Sequence, residues 1–418
     1  MNKIAGFIAQ RYPLIYALFT VRLKYSLIAL ALVYAATAYS LQAAEIATAV
    51  DLVTRHGPII GGDFIVFHTA ALATGGPDMV AIYDMTTLST MLREAYSGRS
   101  DMLLGWQYPP TMFLLVKPFS AFPYLAGYGL WVVTFGGLFI WTVYNLWSDR
   151  AALFFAVSAP PAFLAVITGQ TGLLTASLIA LAAAYADRRP LIAGIAAGLL
   201  TVKPQLGLLI PVAFAAAGCW RAFAAAAVTA LLLGAASVAA FGAEPWFAFV
   251  NAVGAHGERM GAASIFPLHK LTTPFGAARM LGAPAPIALA VQLAATAALG
   301  AYVFVVWRRV ETMALRLAAL ATAALLATPY GFYYETAILV PALLMVARQA
   351  VETGWLRGER VSMIAVWSAA IFMPGPEAVP GFPISFAVAL GAFAIAARRA
   401  APAAGIRFAS ARQPARAG

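Results

Sequence analysis

Runs of about 18 or more apolar residues recur along this chain, each long enough to carry a helix through the hydrocarbon core of a bilayer. In lipid every backbone N–H and C=O must find a partner inside the protein, so such runs fold as helices or as a closed barrel. Barrel strands alternate apolar with polar residues and dilute the hydropathy. Here 62% of the 418 residues are hydrophobic and only 10% are charged. A soluble domain carries about 25% charged residues, which excludes an ordinary globular enzyme. The chain reads as an all-α polytopic membrane protein. Candidate spans lie at 25–43, 108–147, 152–167, 171–186, 190–202, 205–218, 222–241, 286–306, 313–328, 335–349, 361–374 and 381–397, a bundle of about 12 transmembrane helices.

The charges that remain are sorted by position. Nineteen of the 27 Lys and Arg fall on one side of the spans with only five acids, Asp149, Asp187, Glu311, Glu352 and Glu359. That side carries +14 and the rest of the chain −3, which makes up the net +11. The asymmetry follows the positive-inside rule and places both termini in the cytoplasm. The net charge therefore reports orientation and gives no reason to expect a nucleic-acid partner. The parity requires 108–147 to cross once, with a break at Phe122-Pro123 and a short re-entrant or surface helix near 109–121. The first span reads as an uncleaved anchor after a cytoplasmic segment 1–24, and 398–418 as a basic, disordered cytoplasmic tail. Between them, 25–397 is expected to form a single membrane domain. One cysteine, Cys219, excludes a disulfide framework, and the four histidines lack metal-site spacing.

Two outer segments are long, 44–107 and 242–285. The first holds seven of the 16 acids, together with amphipathic stretches at 64–73 and 84–96 that read as interfacial helices. Within it, Gly61-Gly62-Asp63-Phe64 presents a carboxylate after a tight turn at an apolar helix start. Asp63 is there either an N-cap or a cavity-facing base, or both. The second segment carries His256, Glu258, Arg259, His269, Lys270 and Arg279, a basic group suited either to a phosphate or to snorkelling at the interface.

Polar residues also interrupt the apolar runs. Lys203-Pro204-Gln205 puts an ammonium and a helix-breaking proline where both are costly, unless the lysine has a partner such as a phosphate or reaches the interface. Gly169-Gln170-Thr171-Gly172 sits at an outer junction, as a turn or as a site lining. Thr328-Pro329-Tyr330-Gly331-Phe332-Tyr333-Tyr334-Glu335 ends another hairpin, with Glu335 placed to cap, coordinate or bind a sugar hydroxyl. Trp106-Gln107-Tyr108-Pro109-Pro110 closes the first outer segment with aromatics able to stack on a sugar or a prenyl chain.

Taken in order, Gly-Asp-Phe (62–64), Ile-Tyr-Asp (82–84), Tyr-Pro-Pro (108–110), Gly-Gln-Thr-Gly (169–172), Lys-Pro-Gln (203–205) and Thr-Pro-Tyr-x-Phe-x-Tyr-Glu (328–335) resemble glycosyltransferase family 87 of the GT-C superfamily. That family includes polyprenyl-phosphate-sugar-dependent mannosyl- and arabinofuranosyltransferases of bacterial envelopes. The resemblance implies a GT-C-like bundle in the bacterial inner membrane, with its active site on the extracytoplasmic face. It also implies a donor sugar on a polyprenyl phosphate, a glycan or glycolipid acceptor, and inversion at the anomeric carbon.

On this resemblance Asp63 is the general base. The resemblance also carries over Lys203 and Gln205 of Lys-Pro-Gln and Gln170 of Gly-Gln as site residues. The chemistry of the residues themselves adds Lys270 and Arg259 beside Lys203 as expected cations for the donor phosphate, and Tyr108, Asp84, Tyr334, Glu335 and His269 beside Gln170 and Gln205 as expected substrate contacts. Mannosyltransferases of the family often carry histidines where Tyr333, Tyr334 and Glu335 stand here, so mannose is not implied. Nothing in the sequence demands a cofactor, although eleven outer acids leave a divalent ion open. The alternatives are a lipid-linked sugar flippase or transporter, and an O-antigen ligase. A transporter would show repeat symmetry. A ligase would carry its large loop late in the chain. The early acidic segment favours a transferase.

Overall fold

The computed structural model describes residues 10–11, 23–76, 78–96, 105–261, 267–373 and 382–406, with side chains at 23–24, 256 and 258–261 left undescribed. Among these residues the chain is helical, with only three isolated β-bridges. Apart from one-turn pieces, the helices are α1 (Leu23–Ala47), α2 (Phe64–Ala73), α3 (Met85–Ala95), α4 (Thr111–Val116), α5 (Tyr124–Leu146), α6 (Arg150–Val157), α7 (Pro160–Ile167), α8 (Gly172–Tyr185) and α9 (Pro190–Leu199). They continue as α10 (Ile210–Ala217), α11 (Trp220–Phe241), α12 (Glu244–Gly261), α13 (Pro274–Met280), α14 (Ala285–Arg309), α15 (Met313–Ala327), α16 (Leu339–Thr353), α17 (Glu359–Ala369) and α18 (Ile384–Ala404).

Six helical stretches are long and apolar enough to cross a membrane: Tyr25–Ala47, Tyr124–Leu146, Trp220–Phe241, Ala285–Arg309, Tyr333–Thr353 and Ile384–Ala404. A seventh forms if α6 and α7, bent by 49° at their junction, count as one. The expected count of about 12 crossings is therefore not reached by helices of spanning length among the described residues. Several runs read as spans are short helices enclosed by protein. Every residue of α15 from Ala314 to Ala327 is buried, and so are the first twelve residues of α8. An apolar sequence around a whole helix meets the demand of lipid and the demand of a protein core equally well, so composition alone does not separate them. By contrast, α11 and α14 leave Leu231 and Leu293 72% and 62% exposed, the outward apolar faces of a multi-pass membrane protein.

Residues 64–73 depart from expectation for the same reason. Nine of the ten residues of α2 are buried, so this helix is a core element and not an amphipathic surface helix. The amphipathic reading holds for α3, which buries Leu88, Ser89 and Leu92. The Phe122-Pro123 break separates a short helical segment, 111–121, from α5. Lys203 has φ −142° and ψ 70° and divides two 3-10 turns, Leu200–Val202 and Pro204–Gly207. The helix is broken here, where proline lacks an N–H.

Candidate active site

The polar breaks in the sequence meet in space. The 61–63 turn is held by the 168–171 turn, since Asp63 N–H donates to Thr168 O at 2.9 Å. Gly169 makes this approach possible. Its φ is +59°, and a Cβ there would stand 2.2 Å from Gly61 O and 2.6 Å from Phe64 Cβ. Gly172 opens the next contact, where a Cβ would lie 2.4 Å from Tyr334 O. Two tyrosines one turn apart on α5 fasten the same turns: Tyr124 OH donates to Ile60 O at 2.6 Å and Tyr128 OH to Val166 O at 2.8 Å.

Asp63 occupies the N-cap position of α2, yet its backbone is αR and its side chain makes no capping bond. Its Oδ2 instead accepts from Gln170 Nε2 at 2.7 Å. The Gln170 amide is oriented from its other side, where Oε1 accepts from Tyr108 OH at 3.2 Å and from Lys203 Nζ at 3.3 Å. Lys203, 4% exposed, forms an ion pair with the buried Glu335. Glu335 Oε2 also accepts from Thr175 Oγ1 at 3.0 Å. The lysine thus has a carboxylate partner from the far end of the chain and is not an interfacial anchor. Its ammonium lies 5.3 Å from the Tyr108 ring centre and 5.1 Å from that of Tyr334, within cation–π range. Tyr334 in turn stacks on Phe332 at 5.4 Å.

A third segment completes the cluster. Leu271 bridges to Phe332, Thr272 N–H donates to Gly331 O at 2.9 Å, and Thr273 Oγ1 donates to Pro329 O at 3.4 Å. This places the half-buried Lys270 beside Tyr333, with Nζ 5.8 Å from the ring centre. Burial pushes the Asp63 carboxyl above its ordinary value. The Gln170 amide, Lys270 and Lys203 pull the other way, in that order. A half-buried carboxylate with a raised pKa and adjacent cations is suited to accept a proton.

Residues 106–329, more than half of the chain, match glycosyltransferase family 87. The chain belongs to that family. No curated protein and no solved structure matches it. It is a glycosyltransferase on a multi-pass helical membrane fold. The segment matched to family 87 contains Tyr108, Gln170, Lys203 and Lys270, while Asp63 and Glu335 lie on either side of it. Both carboxylates reach the cluster only through folding.

Of the residues singled out in the sequence, the structure brings together Asp63, Tyr108, Gln170, Lys203, Tyr334, Glu335 and Lys270. Asp84 stands apart. It is the exposed N-cap of α3, its Oδ1 accepting from Thr87 N at 2.8 Å and from the Thr86 and Thr87 hydroxyls, bonds that hold its carboxyl down to about 2. Its described hydrogen bonds are those of a local cap. Gln205 is half-buried beyond the break, with no side-chain hydrogen bond to the cluster among the described residues. His269 shares the turn of Lys270, and its carbonyl accepts from Ser385 Oγ at 3.0 Å. The Arg259 side chain lies outside the described residues. Thr175, Tyr124 and Tyr128 were not anticipated. A hydroxyl inside the apolar α8 and tyrosines at i and i+4 on α5 were the signals available.

Proposed function

We propose that this glycosyltransferase moves a sugar from a polyprenyl-phosphate donor to a hydroxyl of an envelope glycan or glycolipid on the extracytoplasmic face of the bacterial inner membrane. On this reading both termini are cytoplasmic and the anomeric configuration inverts. The supporting observation is the Asp63 carboxylate. It sits at a helix N-terminus without capping it and is instead turned toward Gln170 and two lysines. An acceptor hydroxyl is a weak nucleophile, and removal of its proton by a positioned carboxylate as the C–O bond forms lowers the barrier. The leaving group is a lipid phosphate that gains negative charge as the glycosidic bond breaks, and fixed cations stabilise it. A single displacement requires the base on the face opposite the leaving phosphate, hence inversion.

Tyr333, Tyr334 and Glu335 in the 328–335 segment leave the sugar open among mannose, another hexose or a pentose. The test is a transfer assay with the purified chain, an envelope glycolipid extract as acceptor, and a panel of polyprenyl-phosphate sugars, with the product anomer read by NMR. At least one donor is expected to turn over with inversion. Product of retained configuration would remove Asp63 from the role of base in a single displacement.

A further inference from the structure

We propose that the two lysines of the site divide its work: Lys203, neutralised by Glu335, is a positioning residue for Asp63, and Lys270 binds the donor phosphate. This assignment rests on the polyprenyl-phosphate reading above and refines it.

An ammonium has three N–H donors. One of those on Lys203 goes to Glu335 and one to Gln170 Oε1. The remaining side of the group lies against the Tyr108 and Tyr334 rings at 5.3 and 5.1 Å. The group is 4% exposed and its charge is balanced by a carboxylate that is itself 3% exposed. A phosphate would have to displace Glu335 and leave that carboxylate buried without its cation, which is strongly unfavourable. What Lys203 does accomplish is visible one bond further on. By donating to Gln170 Oε1, together with Tyr108 OH, it fixes which end of the amide faces Asp63. Gln170 Nε2 is thereby the end that holds Asp63 Oδ2 at 2.7 Å. Glu335 acts through Lys203, and Thr175 fixes Glu335 by its hydroxyl at 3.0 Å.

Lys270 has the opposite character. It is half-buried, lies on a turn stapled to the 329–332 segment, and has no carboxylate partner among the described residues. Among the described residues its ammonium lies over the Tyr333 ring and makes no side-chain hydrogen bond or ion pair, so its N–H donors remain open. Of the two lysines it also pulls harder on the Asp63 carboxyl. A cation that acts on the base electrostatically and keeps its own donors free is suited to hold a leaving phosphate while the base works on the acceptor.

The experiment measures binding of undecaprenyl phosphate to the purified full chain in nanodiscs, with undecaprenol as the uncharged control, followed by turnover with a donor from the panel. Lys270→Gln is expected to weaken undecaprenyl phosphate binding at least about tenfold, the loss of one charge-assisted hydrogen bond. The Lys203→Met/Glu335→Gln double variant, which removes the balanced pair together, should change it by no more than about threefold. Glu335→Gln should lower kcat at least about tenfold with little change in donor KM, and Glu335→Asp should recover part of it.

Because Glu335→Gln leaves a buried ammonium unpaired, the Lys203→Met/Glu335→Gln double variant removes both charges and guards against simple unfolding. It is expected to melt cooperatively and still turn over slowly. Equal losses of binding in the double variant and in Lys270→Gln would overturn the division. So would wild-type turnover in the double variant. Wild-type protein that binds undecaprenyl phosphate no better than undecaprenol would instead defeat the donor reading, and Lys270's role with it.

Discussion

Two buried ion pairs in this molecule are equally hidden from solvent and finished differently. Arg399 of α18 meets Glu359 of α17 through both arms of the guanidinium, with Nε 2.6 Å from Oε1. The same group donates to Thr353 Oγ1 at 3.0 Å and Gly354 O at 2.8 Å, while Glu359 Oε2 accepts from Leu356 N at 3.0 Å. Four of the five guanidinium N–H donors and both carboxylate oxygens are bonded within the protein, and the turn between α16 and α17 is fastened. Lys203–Glu335 begins in the same way, but its chain of bonds runs through Gln170 to Asp63, whose Oδ1 has no hydrogen-bond partner among the described residues. Burial of a pair does not distinguish structure from chemistry. An open valence at the end of the network does.

The largest effect is expected from Asp63→Asn, which should cost about 10²- to 10⁴-fold in turnover, the range of a lost general base, while the melting temperature stays close to wild type. Wild-type turnover would sink the base assignment.

Arg399→Ala should do the reverse. It leaves Glu359 buried without a partner and should destabilise by about 3–5 kcal/mol, seen as a lower melting temperature, with turnover per folded molecule retained. Loss of turnover in well-folded protein would show that this pair is more than a staple.

Gly169→Ala should sit between them. A positive φ and a Cβ pressed against Gly61 O make it destabilising by about 1–3 kcal/mol, and the shift of the 61–63 turn should lower turnover as well.

The pH profile sharpens the same contrast. As the proposed base, Asp63 would work when ionised, and a raised pKa means that it protonates at higher pH than an ordinary carboxyl. Turnover should therefore fall on the acid side above the usual carboxylate range. Removing the amide in Gln170→Ala deletes a bond that favours the ionised form, so the acid limb should move higher still. An unmoved limb would mean that another group titrates. The smallest effect belongs to Asp84→Ala, the loss of an N-cap worth about 1 kcal/mol, with turnover unchanged.

Much of the cluster was legible before folding because each member violates a local rule. Lys203 is a charge in an apolar run beside a proline, Gln170 lies between two glycines, and Glu335 opens an apolar segment. Asp63 was ambiguous because a cap and a base look alike in sequence; the folded backbone shows only that its side chain makes no capping bond. Thr175, Tyr124 and Tyr128 were hidden because hydroxyls and tyrosines in apolar helices are common, and their importance comes from the partners they meet. Asp84 shows the converse: its motif context suggested substrate, and in the fold its hydrogen bonds are those of a local cap.

The apolar runs of the sequence alone make the chain helical and membrane-embedded, because backbone groups in lipid have few ways to be paired. The sequence also marked the positions where polarity is paid for. Tertiary structure alone decided which apolar runs are enclosed by protein, since α8 and α15 have the composition of spans and the environment of a core. It also decided that Lys203 belongs to Glu335, 132 residues away. Apolar composition records what a residue avoids, whereas an ion pair requires two particular groups to meet, and only the folded chain fixes that meeting.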